Sequence, residues 1–201
     1  MEHLNISVSQ EEKFIPMAFN MTDWTIMDIY ELKVVHVNTP LDFWVVKDPE
    51  EFELFYRYLN SFYSIYGNSF KLIPSKCREY KYCVVHVDSV YYRAILITDP
   101  LIVESAMQLQ AYLVDYGFIV EVKPTELFCL AEEMYEIPQF AIRATLAGSK
   151  MYESVASPED VDNFKNEVDQ QILLLELRGV DFELGVIHLD FIDIDSDSDS
   201  E

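Results

Sequence analysis

The stretch from Tyr82 to Val122 constrains the fold most. Four short apolar segments, residues 82–87, 91–97, 109–114 and 119–122, are separated by the turn pairs Asp88-Ser89, Asp99-Pro100 and Tyr116-Gly117. Segments this short cannot build a broad sheet, and strands joined by tight turns in close succession curl into a small barrel. The flanking sequence has a different grain. Val34-Val35-His36-Val37 and Phe43-Trp44-Val45-Val46 surround the turn Asn38-Thr39-Pro40 and read as a hairpin. After Asp48-Pro49, a cap and first helical position, Phe52, Phe55, Leu59, Phe62 and Tyr66 recur at helical spacing until Gly67 closes the run. Beyond Pro124, residues 140–146 read as a strand, and Ser157-Pro158-Glu159-Asp160 starts a helix whose apolar face is Val161, Phe164 and Val168. Residues 172–177 and 187–191 read as strands around the turn Arg178-Gly179. The small barrel is thus inserted between two parts of an outer unit. Residues ahead of about position 30 show no clean period and read as an irregular arm docked by Trp24 and Met27.

Half of the 201 residues are apolar, yet no run approaches the roughly 20 needed to span a bilayer, so a soluble globular chain is expected. The start, Met1-Glu2-His3-Leu4-Asn5, lacks the pattern of a secretory signal. Cys77, Cys83 and Cys129 are odd in number and form no CxxC pair, which points away from a disulfide framework or zinc site and toward a reducing, cytoplasmic setting; no cofactor is implied. The net charge of -22 repels a phosphate backbone and attracts cationic partners such as Lys- or Arg-rich peptides. Part of that charge is the run from Asp193 to Glu201, which cannot bury a core and is expected to be disordered. Its Ser196, Ser198 and Ser200 sit among acids in a setting that suits acidophilic kinases, and phosphorylation there would strengthen docking of a basic partner.

Tyr91-Tyr92-Arg93-Ala94, Val114-Asp115-Tyr116-Gly117, the Val122, Leu127, Leu130 ladder, the run from Pro138 through Phe140-Ala141-Ile142-Arg143-Ala144 to Gly148, and the Ser157-Pro158 helix occur in an order that resembles the extended Tudor domain over roughly residues 32 to 192. The resemblance implies a mainly β fold with a few α-helices (α+β), a Tudor SH3-like barrel embedded in a staphylococcal-nuclease-like OB fold. Its parts would be an arm over 1–31, the first outer part with a linker helix over 32–77, the Tudor barrel over 78–130, the remaining outer part over 131–192 and an acidic tail over 193–201. Domains of this family are generally non-enzymatic readers of arginine-rich tails, often symmetrically dimethylated tails of PIWI-type proteins, and they build germline granules of the piRNA pathway. The resemblance therefore implies a cytoplasmic or perinuclear granule adaptor with no direct nucleic-acid or membrane partner. The single-domain arrangement is similar to that of the Tejas and Tapas group.

Carried over position by position, the family's aromatic cage falls on His86, Tyr92, Leu113 and Tyr116, and the guanidinium-binding Asn falls on Phe118. Tyr92 and Tyr116 match; His86 and Leu113 replace aromatics; the polar anchor is lost. A cation over an aromatic face gains roughly 0.5–2 kcal/mol, whereas a lost hydrogen bond to a charged group costs about 1.5–3 kcal/mol. Dimethylarginine binding is expected to be weak or absent unless Phe118 folds inward as a replacement wall; His86 is a third wall when neutral and repels the ligand when protonated, so binding is expected to weaken on acidification. Arg93 and Asp115 read as an internal ion pair bracing the site, and Tyr91, on the opposite side of its strand from Tyr92, reads as core. His36, His86 and His188 show no metal-ligand spacing. No carboxylate pair stands out as an acid-base couple, and nuclease-like ancestry of the outer unit is no evidence of hydrolysis. The alternative is a scaffold with a silent cage that meets partners through another surface, such as the arm with Trp24 and Met27.

Overall fold

A computed structural model describes residues 13–73, 81–97, 108–147 and 157–192. The acidic run with its serines, the Asp99-Pro100 turn and Cys77 lie outside the described residues. The outer unit is a closed barrel in the order β1-β2-β8-β10-β9, built from β1 (Ile29–Thr39), β2 (Asp42–Val46), β8 (Ile142–Leu146), β9 (Ile172–Asp181) and β10 (Val186–Phe191). All its pairings are antiparallel except β8 with β10. The inserted unit is a five-stranded sheet, β6-β5-β4-β3-β7, comprising β3 (Tyr82–Val87), β4 (Val90–Leu96), β5 (Leu109–Leu113), β6 (Phe118–Val122) and β7 (Leu127–Cys129). The fold is thus mainly β, with helices α1 (Pro49–Tyr66) and α2 (Pro158–Val168).

Three apolar clusters hold these parts. Leu32, Val34, Val37, Phe43, Leu175 and Leu189 fill the closed barrel, and α2 closes one side through Phe164, whose ring meets Phe43 edge-on at 5.7 Å. Val85, Ala94, Leu109, Leu113 and Leu127 fill the inserted sheet. Between the two units lies α1, which buries Phe52, Phe55, Tyr56, Leu59 and Tyr63. Strand alternation lets β1 serve two cores, with Val34 pointing into the barrel and the neighbouring Val35 joining the α1 cluster, and the register shift between Val34 and His36 returns Val37 to the barrel face.

Sequence and structure differ at particular points. Asp48 makes no side-chain capping bond. A missing cap costs about 1 kcal/mol, whereas each large apolar side chain that α1 buries contributes roughly 1.5–3 kcal/mol, so packing decides. The buried stripe ends on Tyr63, leaving Tyr66 exposed. Gly67 is right-handed (φ -52°) and continues into a short 3-10 turn, Gly67–Phe70; its smallness serves packing, because a Cβ there would lie 3.3 Å from the Phe128 ring. Ser157 caps α2 by accepting from the Asp160 N–H while Asp160 bonds back to it. Arg178-Gly179 is not a turn: both residues lie within β9, Gly179 faces His188 beside a bulge, and the chain reverses over 182–185 with Gly185 at φ 63°. In the arm Ile15 is buried and Trp24 stacks near Tyr30, but the Met27 side chain is exposed; that residue docks through its backbone N–H to the Leu177 carbonyl (2.7 Å).

Candidate functional site

The floor of the site is a buried ion pair. Arg93 on β4 and Asp115 in the β5–β6 turn are both fully excluded from solvent. The guanidinium donates from Nε (2.8 Å) and Nη2 (2.7 Å) to the two Asp115 oxygens, from Nη1 to the carbonyls of Met134 and Ile137, and from Nη2 to that of Pro138. Asp115 also accepts the Tyr56 hydroxyl (3.1 Å) from α1 and the Phe140 N–H (3.0 Å). Every guanidinium N–H has a partner, which is what makes a buried charge tolerable. The pair therefore clamps the β5–β6 turn to α1 and to the chain leading into β8, fixing where Tyr116, Gly117 and Phe118 stand.

Gly117 has φ +84°, and a Cβ there would lie 2.2 Å from the Trp44 ring, so only glycine lets the turn press onto β2. That contact starts a continuous row of rings. Tyr92 meets Tyr116 at 5.3 Å and 77°, Tyr116 meets Phe118 at 6.1 Å and 77°, Phe118 stacks on His36 at 4.6 Å, and His36 meets Trp44 at 5.6 Å. Two perpendicular neighbours make Tyr116 the centre of a three-walled corner. Burial first, then Asp88, raises the Tyr92 phenol above its ordinary range; burial first, then Tyr92, Asp115 and Glu53, raises that of Tyr116. Carboxylates thus stand near the tyrosine end of the row.

At the other end opens a cavity of about 870 Å³, lined by residues that include His36, Trp44, Phe118, Ile119 and Arg143. It lies where the inserted sheet meets the outer barrel. Arg143 bonds Asp42 through Nε (2.6 Å) and lies 5.8 Å from the Trp44 ring centre. His36 Nε2 bonds the Asn38 side-chain oxygen (2.9 Å).

The structure brings Tyr92, Tyr116 and Phe118 together; of the other two expected wall residues, Leu113 lies buried beneath them, opposite Phe118, and His86 faces Tyr91 instead. Leu113 is buried in the inserted core, on the same face of β5 as Leu109 and Ala111, so it cannot line a cage. His86 pairs with Tyr91 across the β3–β4 hairpin and stacks on its ring at 4.3 Å, placing it on the α1 face. Tyr91 itself packs on Tyr63 of α1. Absent from the sequence-based site are His36, Trp44 and Arg143; Arg143 falls in the Phe140–Ala144 run that carries the resemblance but holds no place in that site, and the β2–β8 pairing sets Trp44 opposite it.

Residues 25–148 match the sequence model of the Tudor domain. Among curated proteins no sequence matches the chain. Solved structures give the same fold at low identity. The human TDRD1 extended Tudor domain, in complex with a symmetrically dimethylated E2F peptide, has TM-score 0.67 at 22% identity and covers 90% of this chain and 88% of its own. The third extended Tudor domain of mouse TDRD1, bound to a MILI peptide containing dimethylarginine, has TM-score 0.67 at 16% identity, with 92% and 89% covered. A variant of the Drosophila melanogaster Papi extended Tudor domain, in complex with a Piwi N-terminal peptide, has TM-score 0.63 at 18% identity, with 81% and 87% covered.

Proposed function

Because this chain belongs to the Tudor domain family, we propose that it is a non-enzymatic adaptor that seats an extended, arginine-containing peptide along the aromatic row. The observation that carries this reading is the corner of Tyr92, Tyr116 and Phe118, with Tyr116 perpendicular to both neighbours. A guanidinium laid against such faces gains roughly 0.5–2 kcal/mol, and Asp88 adds attraction from nearby, whereas Glu53 is paired with Lys33. Phe118 supplies a ring where an amide would bond the guanidinium, so recognition rests on flat faces and charge, and dimethylation changes affinity little. The MILI peptide bound by mouse TDRD1 and the Piwi peptide bound by Papi support PIWI-type tails as partners, and the E2F peptide bound by human TDRD1 supports dimethylarginine peptides of other proteins as well. With them come a role in piRNA-pathway granules and a cytoplasmic or perinuclear location. The net charge of -22 argues against direct nucleic-acid binding.

Calorimetric titration of one Arg-Gly-rich peptide in unmodified, symmetrically dimethylated and Arg-to-Lys forms tests this, using wild type and Tyr92→Ala. Tyr92 is the better target because Tyr116 also packs on Phe52 and Tyr56. Binding that needs arginine and weakens in the variant is expected; equal binding of the lysine form, or no binding at all, sinks the reading. The scaffold alternative draws on another observation. Leu54, Tyr58, Ile65 and Tyr66 leave an exposed apolar stripe on α1. If that stripe is the interface, Ile65→Glu abolishes partner capture from extract and Tyr92→Ala does not.

A further inference from the structure

The two ends of the aromatic row differ in charge, and the cavity end is unlike the rest of the molecule. The chain carries 36 acidic residues against 14 basic ones, yet among the described residues no Asp or Glu lines the cavity, while Arg143 does. Its lining is largely apolar, with Trp44, Phe118, Ile119 and Met17 beside the uncharged polar groups of Asn38 and Gln139. Leu184, 68% exposed, flanks the lining residue Gly185 and extends this surface. Ile119 and Met17 are themselves 54% and 71% exposed, so the apolar wall is open to a partner.

Arg143 faces this opening half exposed, with a side-chain exposure of 48%. Its Nε is held by Asp42, which also accepts from the Asn38 amide (2.9 Å), so Asp42 anchors the stem without covering the terminal nitrogens. The guanidinium is paired with Asp42 through one carboxylate oxygen. The other titratable rings in the lining are His36, stacked on Phe118 and bonded to Asn38, and Tyr112, whose phenol feels the Arg143 charge and bonds Trp44. An arginine held by one carboxylate beside an aromatic wall offers a second carboxylate an end-on seat.

We propose that this cavity recognises an acidic-apolar element of the bound peptide: a large apolar side chain against Trp44, Phe118 and Ile119, next to a carboxylate on Arg143. This rests on the peptide-binding reading above and adds the chemistry of the second half of the ligand. Arginine is held at the Tyr92–Tyr116 end, where Asp88 lies, and the acid at the Arg143 end, so the ligand is polar in its charge pattern. An extended peptide advances roughly 3.3 Å per residue, which sets the two elements about three to five residues apart along the row.

The test uses fluorescence anisotropy with labelled Gly-Ser-based peptides carrying Arg at one end and Leu-Glu four residues away, in both sequence orders. Companion peptides carry Leu-Lys, Ser-Glu, or Lys for the Arg. With wild type, the change from Leu-Glu to Leu-Lys is expected to weaken binding about tenfold, the scale of a lost charge-assisted bond, and Ser-Glu to weaken it severalfold. With Arg143→Ala, the Glu and Lys peptides bind alike. Asp42→Asn releases Nε and raises affinity for the Leu-Glu peptide, a change of opposite sign that a merely structural role for Arg143 would not give. Arginine-dependent binding that ignores the Glu-to-Lys change overturns this inference and leaves the peptide-binding reading standing. Binding of no peptide overturns both.

Discussion

The tyrosine end and the cavity end of the aromatic row are built from one turn, yet they offer opposite chemistry. Tyr92 stands near Asp88, whereas Phe118 and Trp44 stand near Arg143. The dividing residue is Phe118, whose ring touches Tyr116 on one side and His36 on the other. Replacing a small amide by a ring at that position removes an acceptor for guanidinium and extends the apolar wall into the cavity.

The comparison breaks most completely if the shared floor is removed. Arg93→Met leaves Asp115 buried without its guanidinium, and breaking such a pair costs roughly 3–5 kcal/mol; urea unfolding is expected to show that loss, and both ends lose binding. Gly117→Ala is the next largest change. The new Cβ collides with Trp44, at roughly 1–3 kcal/mol for overpacking, and Phe118 shifts off His36; unchanged unfolding and unchanged binding would show that the turn is not held as described. Phe118→Asn separates the ends. Regaining a hydrogen bond to a charged group is worth about 1.5–3 kcal/mol, so calorimetry is expected to show arginine peptides binding about tenfold tighter or better, with methylation now distinguishable, while binding at the cavity end falls. The smallest effect is a pH dependence. Burial raises the Tyr116 phenol above its unfolded value near 10, and a raised folded value means the stabilising contribution is complete below pH 10 and declines as pH climbs above it. Melting temperature should drop above pH 10, and drop less steeply in Tyr116→Phe.

Much of the fold was legible because it rests on local periods. The α1 stripe, the β1–β2 hairpin and the capping box at Ser157 all follow from spacing within one element. Two of the site errors were also avoidable on local grounds. Alternation from Leu109 and Ala111 turns Leu113 inward, and a two-residue turn at Asp88-Ser89, both with positive φ, forces His86 opposite Tyr91 rather than Tyr92. The Arg178-Gly179 error had the opposite cause: glycine suggested a turn, but there it sits within β9 beside a bulge. The cavity end was illegible. His36, Trp44 and Arg143 come from three strands, and nothing in any one of them signals the register that sets Trp44 opposite Arg143.

The most direct measurement is a nuclear magnetic resonance titration of the wild-type chain with the Arg-Gly-rich peptide, followed through its aromatic and amide signals. Binding along the row predicts that Tyr92, Tyr116 and Phe118 shift together while Leu113 and His86 stay near their free positions. Shifts confined to Leu54, Tyr58 and Ile65 on α1, with the row silent, would contradict it.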